Sequence, residues 1–240
     1  NAFLNWALIF GNAGFPRLEV IGSAYATIFS RIFSAIAVLG VIFYYNKKKN
    51  WGLENASWKF SFSVIKKILK LGLPISGQLL LEVGVFSLST LFIGRIGAEA
   101  LAAHQIVLQV VSCTFMVPLG LSSAAAVHVG HSYGSGQKKT AMRIGWIAFF
   151  MGASFMTCSG LCLFLFSKVL MTSFTSQQDV IALGQKLFLF GAFFQIWDGL
   201  QVVGSGVLRG VGNTLSSLIA NLFGHWCVGL PLAYWFCFHL

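Results

Sequence analysis

Two acidic residues lie inside long apolar segments of this sequence, where charged groups are rare. Glu82 is near the middle of the segment from Leu71 to Gly94, and Asp198 lies in the segment from about Ala182 to Leu208. At about 1.5 Å rise per helical residue, Glu82 lies roughly 17 Å from the first residue of its segment, close to the middle of a hydrocarbon core about 30 Å thick. A charged residue at that depth costs about 2.5–3.5 kcal/mol by insertion scales, so we expect both acids to have a function.

Each acid is the centre of a narrow polar stripe that also carries aromatic residues. Side chains three or four residues apart lie on the same face of a helix. These neighbours are Gln78 and Phe86 around Glu82, and Phe194, Gln195 and Gln201 around Asp198. Because lipid cannot solvate such a stripe, we expect it to face a water-filled cavity or the interior of a helix bundle.

Two carboxyl groups in one cavity are suited to the exchange of cations. Burial and a neighbouring like charge both favour the protonated form of a carboxyl group, whereas a bound cation favours the charged form. Glu82 and Asp198 could therefore take up H⁺, hold Na⁺, or bind an organic cation with help from aromatic faces. The alternative is structural: both acids are protonated and form hydrogen bonds with neighbouring helices.

Other polar residues inside apolar segments are weaker candidates for the site. Arg31 lies about eleven residues into its segment, where it either pairs with an acid elsewhere or extends to the membrane surface. Asn221 and His225 are one helical turn apart in the last segment, and hydrogen bonding between helices is the favoured role for both. His104 lies near the end of its segment and is predicted to be interfacial.

The composition is that of a polytopic α-helical membrane protein. Apolar residues make up 57% of the 240 residues and charged residues 9%, against about 25% charged in a soluble domain, and the mean hydropathy is +0.80. We predict an all-α transmembrane helical bundle in which residues 1–10 form a partial span. The six complete spans are Val20–Tyr45, Leu71–Gly94, Leu101–Val127, Met142–Phe166, about Ala182–Leu208 and Leu215–Phe238. Because the sequence begins at Asn1 and ends inside an apolar segment, we interpret it as part of a longer protein.

The net charge of +10 reflects cations in the loops between spans, which is typical of a membrane protein and argues against nucleic-acid binding. One set of loops carries eleven cations and the opposite set carries four. The eleven are Lys47, Lys48, Lys49, Lys59, Lys66, Lys67, Lys70, Lys138, Lys139, Arg143 and Arg209. The positive-inside rule places this side, with the polar segment 46–70, in the cytoplasm. We expect the protein to lie in the inner (plasma) membrane of the cell.

The sequence contains no pattern typical of an enzyme, a metal centre or a cofactor. Its five cysteines lie in or at the end of apolar segments and are interpreted as packed free thiols. No catalytic or metal-ligating set of Cys, His, Ser and Asp accompanies them. We therefore expect no enzyme activity, no metal centre and no cofactor, apart from Na⁺ as one of the ions that Glu82 and Asp198 could hold.

Four stretches of the sequence occur in order and together resemble one family of transporters. They are NAFLNWALIFGNAGFPRLEVIGSAYAT, GLPISGQLLLEVGVFSLSTLFIGRIGAEALAAHQIVLQV, MVPLGLSSAAAVHVGHSYGSGQ and QIWDGLQVVGSGVLRGVGNT. They resemble the fifth-to-sixth, seventh, eighth and tenth helices of the multidrug and toxic compound extrusion (MATE) family, in particular its bacterial NorM-type branch. Glu82 and Asp198 stand where the family has acids, while Phe194 stands where some relatives carry tyrosine.

The resemblance implies a fold of twelve helices in two lobes related by pseudo-twofold symmetry. Residues 1–45 would be the end of the N-lobe, with the family's fifth and sixth helices. Residues 46–70 would be the cytoplasmic linker between the lobes. Residues 71–240 would form the C-lobe from the seventh to the eleventh helix, without its last helix.

The resemblance also implies a function, that of a monomeric secondary antiporter in contact with membrane lipid. It would export small cationic, often aromatic, compounds in exchange for H⁺ or Na⁺, with Glu82 and Asp198 binding the coupling ion and the substrate. The alternative is a related flippase of a lipid-linked or polyanionic substrate, which would favour a cationic cavity. A channel would conduct without stoichiometric exchange, and a membrane-embedded enzyme would need a nucleophile or metal cluster.

Overall fold

The structure is a computed structural model that describes residues 1–49 and 60–239, with side chains up to Cys237. All regular structure within these residues is helical. The elements are α1 (Ala2–Phe10), α2 (Glu19–Lys49), α3 (Phe62–Ile96), α4 (Ala98–Gly134), α5 (Lys138–Leu165), α6 (Ser167–Phe174), α7 (Gln178–Gly210), α8 (Thr214–Asn221), a π-helical segment (Leu222–Gly229) and α9 (Leu230–His239). Residues 50–59 of the predicted linker lie outside the described part.

Six helical stretches are long and apolar enough to cross a membrane, and they confirm the predicted polytopic helical class. They are Glu19–Lys49, Phe62–Ile96, Ala98–Gly134, Lys138–Leu165, Gln178–Gly210 and Thr214–Cys237. Several extend beyond the apolar segments. For example, α3 begins at Phe62, nine residues before the predicted span, because the lysines of this stretch are good helix formers and the helical hydrogen bonds continue past the apolar boundary.

The structure contains two compact units, Asn1–Ser61 and Phe62–Leu240. In the first unit, α1 packs on α2, where Ala7, Leu8 and Ala26 are buried. A Cβ at Gly22 would lie 2.5 Å from the carbonyl oxygen of Leu8, so glycine permits this close crossing. Most of α2 is exposed, including Arg31.

In the second unit, α7 is the central helix and packs extensively against α4 and α5, while α8 packs against α3. Two clusters of buried residues lie along α7. One contains Ala103, Val107, Leu163, Met171, Val180, Ile181 and Phe188, and the other contains Ala125, Ala148, Val202 and Val203.

The cysteines are not part of these clusters. All five are free, and four are exposed, so the prediction of packed thiols was wrong.

The crossing of α4 and α7 is close because glycines lie where the two helices meet. A Cβ at Gly206 would clash with the carbonyl oxygen of Ser122, and one at Gly210 would lie 2.8 Å from the carbonyl oxygen of Ala126. Small residues allow membrane helices to approach each other in this way. The Ser122 hydroxyl is fully buried and donates a hydrogen bond of 2.6 Å to the carbonyl oxygen of Val202.

Candidate functional site

A cavity of about 910 Å³ lies in the second unit and is lined by α3, α4 and α7. The lining residues of each helix recur at three- and four-residue spacing, so each helix contributes one face. They are Ile75, Gln78, Leu79, Glu82, Val83, Phe86, Ser87, Ser89 and Thr90 of α3, His104, Gln105, Val107, Leu108, Val111, Ser112, Phe115 and Leu119 of α4, and Leu187, Phe190, Gly191, Phe194, Asp198, Val202, Ser205 and Arg209 of α7.

Both predicted acids line this one cavity. Asp198 is buried, with 7% of its surface exposed, and Glu82 is half-buried. The two carboxyl groups interact electrostatically across the cavity, from α3 to α7. Each acid lies in the middle of the lined part of its helix, with further lining residues on both sides.

The pairs on either side of the acids show that α3 and α7 run antiparallel along the cavity. On one side, the rings of Phe86 and Phe194 meet edge to face with centroids 6.5 Å apart. On the other side, the Gln78 amide donates to the Ser205 hydroxyl at 3.3 Å. The acids therefore lie between an aromatic layer and a polar layer.

The polar layer is a closed triangle of hydrogen bonds among three helices. The Ser217 hydroxyl of α8 lies 2.9 Å from the side-chain oxygen Oε1 of Gln78 and 2.7 Å from the Ser205 hydroxyl. All three side chains are buried. Since buried polar groups are costly unless they are paired, the triangle fixes α3, α7 and α8 together at this end of the cavity.

Gln195 and Gln201, predicted as cavity residues, lie between helices instead of on the lining. The Gln195 side chain is fully buried and its amide donates to the Thr114 hydroxyl of α4. The Gln201 side-chain amide donates to the side-chain oxygen Oδ1 of Asn221 at 3.1 Å. At about 100° per helical residue, side chains three positions from Asp198 point roughly 60° to either side of its direction around the helix axis, whereas those four or seven positions away point within roughly 40° of it. Gln195 and Gln201 are three positions away and therefore turn toward the neighbouring helices.

Asn221 and His225 lie on α8 and on the π-helical segment, which both pack against α3. Asn221 is buried, and besides accepting from Gln201 it donates to the Ser217 carbonyl oxygen at 3.3 Å. His225 lies in the π-helical segment, and its Nδ1 is buried without a hydrogen-bond partner among the described residues. The adjacent Trp226 indole donates to the Leu81 carbonyl oxygen at 3.0 Å. The prediction of hydrogen bonding between helices is therefore confirmed for Asn221.

The structure differs from the sequence predictions for His104 and Arg209, and it does not include Arg31 among the residues that line the cavity. Arg31 is exposed in the first unit and is not among the lining residues. His104, predicted to be interfacial, lines the cavity, and its buried Nε2 has no hydrogen-bond partner in the described part of the chain. Arg209, assigned to a loop, lies in the last turn of α7 and also lines the cavity. The helix continues past the predicted end of its span, and this carries Arg209 onto the lined face.

The sequence held signals for some of these missed residues. Ser205 and Arg209 follow Asp198 by seven and eleven residues, which places both within roughly 20° of the Asp198 direction on α7. Ser122, Ser217 and Trp226 gave no such signal, because their partners lie on other helices. Among the described residues, no group of three or more His, Cys, Asp and Glu side chains lies close enough together to hold a metal ion.

The fold and the acid-lined cavity define a polytopic helical membrane protein with a polar site inside its bundle. The family model described as MatE matches residues 74–235, a range that includes every residue that lines the cavity. The chain therefore belongs to the MatE family.

Relatives of known name are similar over the whole chain. A probable multidrug resistance protein NorM of Mesorhizobium japonicum is 39% identical over 100% of this chain and 52% of its own length. A multidrug resistance protein NorM of Burkholderia vietnamiensis is 36% identical over the same shares, and a probable one of Brucella suis is 33% identical over 97% of this chain and 50% of its own length. The chain thus spans about half the length of these relatives.

Proposed function

We propose that this chain forms part of a secondary antiporter that exports small organic cations, often aromatic, in exchange for H⁺ or Na⁺. The observation that carries the proposal is that Glu82 and Asp198, the only acids deep within spans among the described residues, line one cavity beside an aromatic pair. A charged group inside a membrane bundle is expected to mark an ion or substrate pathway. The names of the relatives, which refer to multidrug resistance, support export of drugs.

Competition for the two acids provides the coupling in this proposal. A bound ion or protonation neutralises the carboxyl groups and weakens the attraction for an organic cation. The substrate in turn favours the charged carboxylates, so ion and substrate exclude each other by electrostatics. The rings of Phe86 and Phe194 contribute aromatic surface to the bound cation, since aromatic faces attract cations. We place the protein as a monomer in the inner (plasma) membrane with segment 46–70 in the cytoplasm.

The alternative of a flippase for polyanionic substrates is less well supported. Two acids and one arginine line the cavity, whereas a polyanion would require an excess of cations there.

Efflux of ethidium from loaded vesicles under an imposed H⁺ or Na⁺ gradient tests the proposal. Amide variants keep the shape of each side chain and remove its charge, so Glu82→Gln and Asp198→Asn in the complete gene product should each abolish gradient-driven efflux. The matched controls are Glu99→Gln in the first turn of α4 and Asp179→Asn in the first turn of α7, both exposed and away from the cavity. Efflux by both amide variants at the wild-type rate, at equal amounts of protein, would show that the acids are structural.

A further inference from the structure

Arg209 places a positive charge in the cavity that holds the two acids. It is half-buried in the last turn of α7 and lines the cavity. Its guanidinium interacts electrostatically with Glu82, but the two side chains do not form an ion pair. Among the described residues, Arg209 has no carboxylate partner at all.

Among the residues that the structure describes, one hydrogen bond to a hydroxyl group holds the guanidinium in place. Its Nη2 donates to the Ser122 hydroxyl of α4 at 2.7 Å, and that hydroxyl donates to the Val202 carbonyl oxygen. Nε is buried and has no hydrogen-bond partner among the described residues. A guanidinium carries five N–H donors in a planar fork suited to a carboxylate, whereas the Ser122 hydroxyl accepts from only one of them and carries no charge.

The contact to Ser122 also fixes where the charge lies relative to Asp198. Val202 is one helical turn after Asp198, and side chains on a helix lean toward its N-terminus. The guanidinium is therefore roughly 10 Å from the Asp198 carboxyl group along α7. A ligand that carries a cation and an anion about that distance apart could place its cation at the Asp198 carboxyl group and its anion at the Arg209 guanidinium.

We propose that Arg209 forms an anion subsite at the end of the cavity, which takes a carboxylate of the transported molecule. The cavity then prefers zwitterionic substrates, whose cation lies between Glu82 and Asp198 and whose carboxylate lies at Arg209. The inference rests on the proposed function, because it assigns the substrate cation to the two acids. It assigns to Arg209 a role in substrate specificity, which the proposed function of the two acids does not require.

A matched pair of dyes separates the two proposals. A rhodamine with a free carboxylate and its methyl ester share the ring cation and differ only in the anion. Equilibrium binding of both dyes to the purified complete gene product, measured by fluorescence anisotropy without an ion gradient, gives the ratio of their affinities. We expect the wild-type protein to prefer the acid.

Arg209→Gln should weaken binding of the acid about tenfold and leave binding of the ester unchanged or tighter, since a repulsive cation is removed. Arg209→Lys keeps the charge and should retain part of the preference for the acid. Ser122→Ala removes the contact that holds the guanidinium and keeps the charge, so it should lower the preference less than Arg209→Gln does.

Three outcomes would overturn the inference. If Arg209→Gln weakens acid and ester equally, Arg209 is only a structural contact to Ser122. If the wild-type protein binds the ester as tightly as the acid, the cavity has no anion subsite, although the proposed function stands. If the wild-type protein binds neither dye, the proposed function fails and the inference fails with it.

Discussion

The rings of Phe86 and Phe194 meet edge to face across the cavity, with an interplanar angle of 84°. Phe86 is one helical turn after Glu82, and Phe194 is one turn before Asp198. Because α3 and α7 are antiparallel here, both rings lie on the same side of the acids. The aromatic pair therefore forms a wall next to the two carboxyl groups, where a flat cation would lie.

Loss of either ring should weaken the binding of an aromatic cation. Phe86→Leu and Phe194→Leu keep the apolar character and remove the π-face, which contributes about 0.5–1 kcal/mol to a cation at a partly exposed site. We expect the dissociation constant for ethidium to rise roughly two- to fivefold in each variant, measured by fluorescence titration of the purified protein.

Phe193→Leu is the matched control for the aromatic wall. Phe193 is adjacent to Phe194 but points away from the cavity, with its ring against Trp197. Its replacement should leave the dissociation constant unchanged. Equal weakening in Phe193→Leu and Phe194→Leu would mean that the loss reflects packing of α7 and not contact with the cation.

Ser217→Ala should destabilise the protein although Ser217 does not line the cavity. It removes the hydroxyl that bonds Gln78 and Ser205, which leaves the buried carbonyl oxygen of Gln78 without a donor. An unpaired buried polar group costs about 1–3 kcal/mol, so thermal unfolding of the purified protein should begin at a lower temperature. Ser216→Ala is the control, because the side chain of Ser216 is exposed, and a loss of equal size there would contradict the role of the triangle.

The sequence predicted the face of each helix better than the contacts between helices. Helical periodicity alone puts Gln78, Glu82 and Phe86 on one face of α3, and the cost of a buried charge indicates that this face is inside. The pairing of Gln78 with Ser205 and Ser217 depends on the relative rotation and register of three helices. Local spacing does not contain that information.

Helix ends were the other source of error. Arg209 directly follows the predicted end of its span at about Leu208, and it was therefore counted among the loop cations. In the structure α7 extends to Gly210 and places Arg209 on the same face as Asp198. Gln195 and Gln201 were included with the cavity because they are three residues from Asp198, but that spacing turns them toward the neighbouring helices.

Cysteine accessibility should report the predicted membrane orientation. In a background without the five native cysteines, we expect Lys139→Cys, at the start of α5, to be protected from a membrane-impermeant maleimide in right-side-out vesicles. Ser176→Cys, between α6 and α7, should be labelled, because the two positions lie at opposite ends of spans and the positive-inside rule predicts that the cation-rich loops face the cytoplasm. Labelling of Lys139→Cys together with protection of Ser176→Cys would reverse the orientation, and permeabilised vesicles control for reactivity.

Gly206→Ala and Gly120→Ala add the same methyl group to two spans, and we expect only Gly206→Ala to destabilise the protein. At Gly206 the new Cβ would clash with the backbone carbonyl of Ser122, which cannot turn away as a side chain can. Overpacking of this kind costs about 1–3 kcal/mol. At Gly120 no atom outside the local helix backbone lies within 4 Å, and alanine favours a helix over glycine by about 1 kcal/mol.

The pair distinguishes close helix contact from a general effect of alanine. Gly206→Ala should lower the temperature of unfolding, measured with the purified protein in one detergent, while Gly120→Ala should leave it unchanged or raise it. Because the clash would displace Ser122, which holds Arg209, Gly206→Ala should also lower the preference for a carboxylate-bearing dye over its ester. If Gly206→Ala unfolds at the wild-type temperature and keeps that preference, α4 and α7 must be further apart at Ser122 than the structure has them.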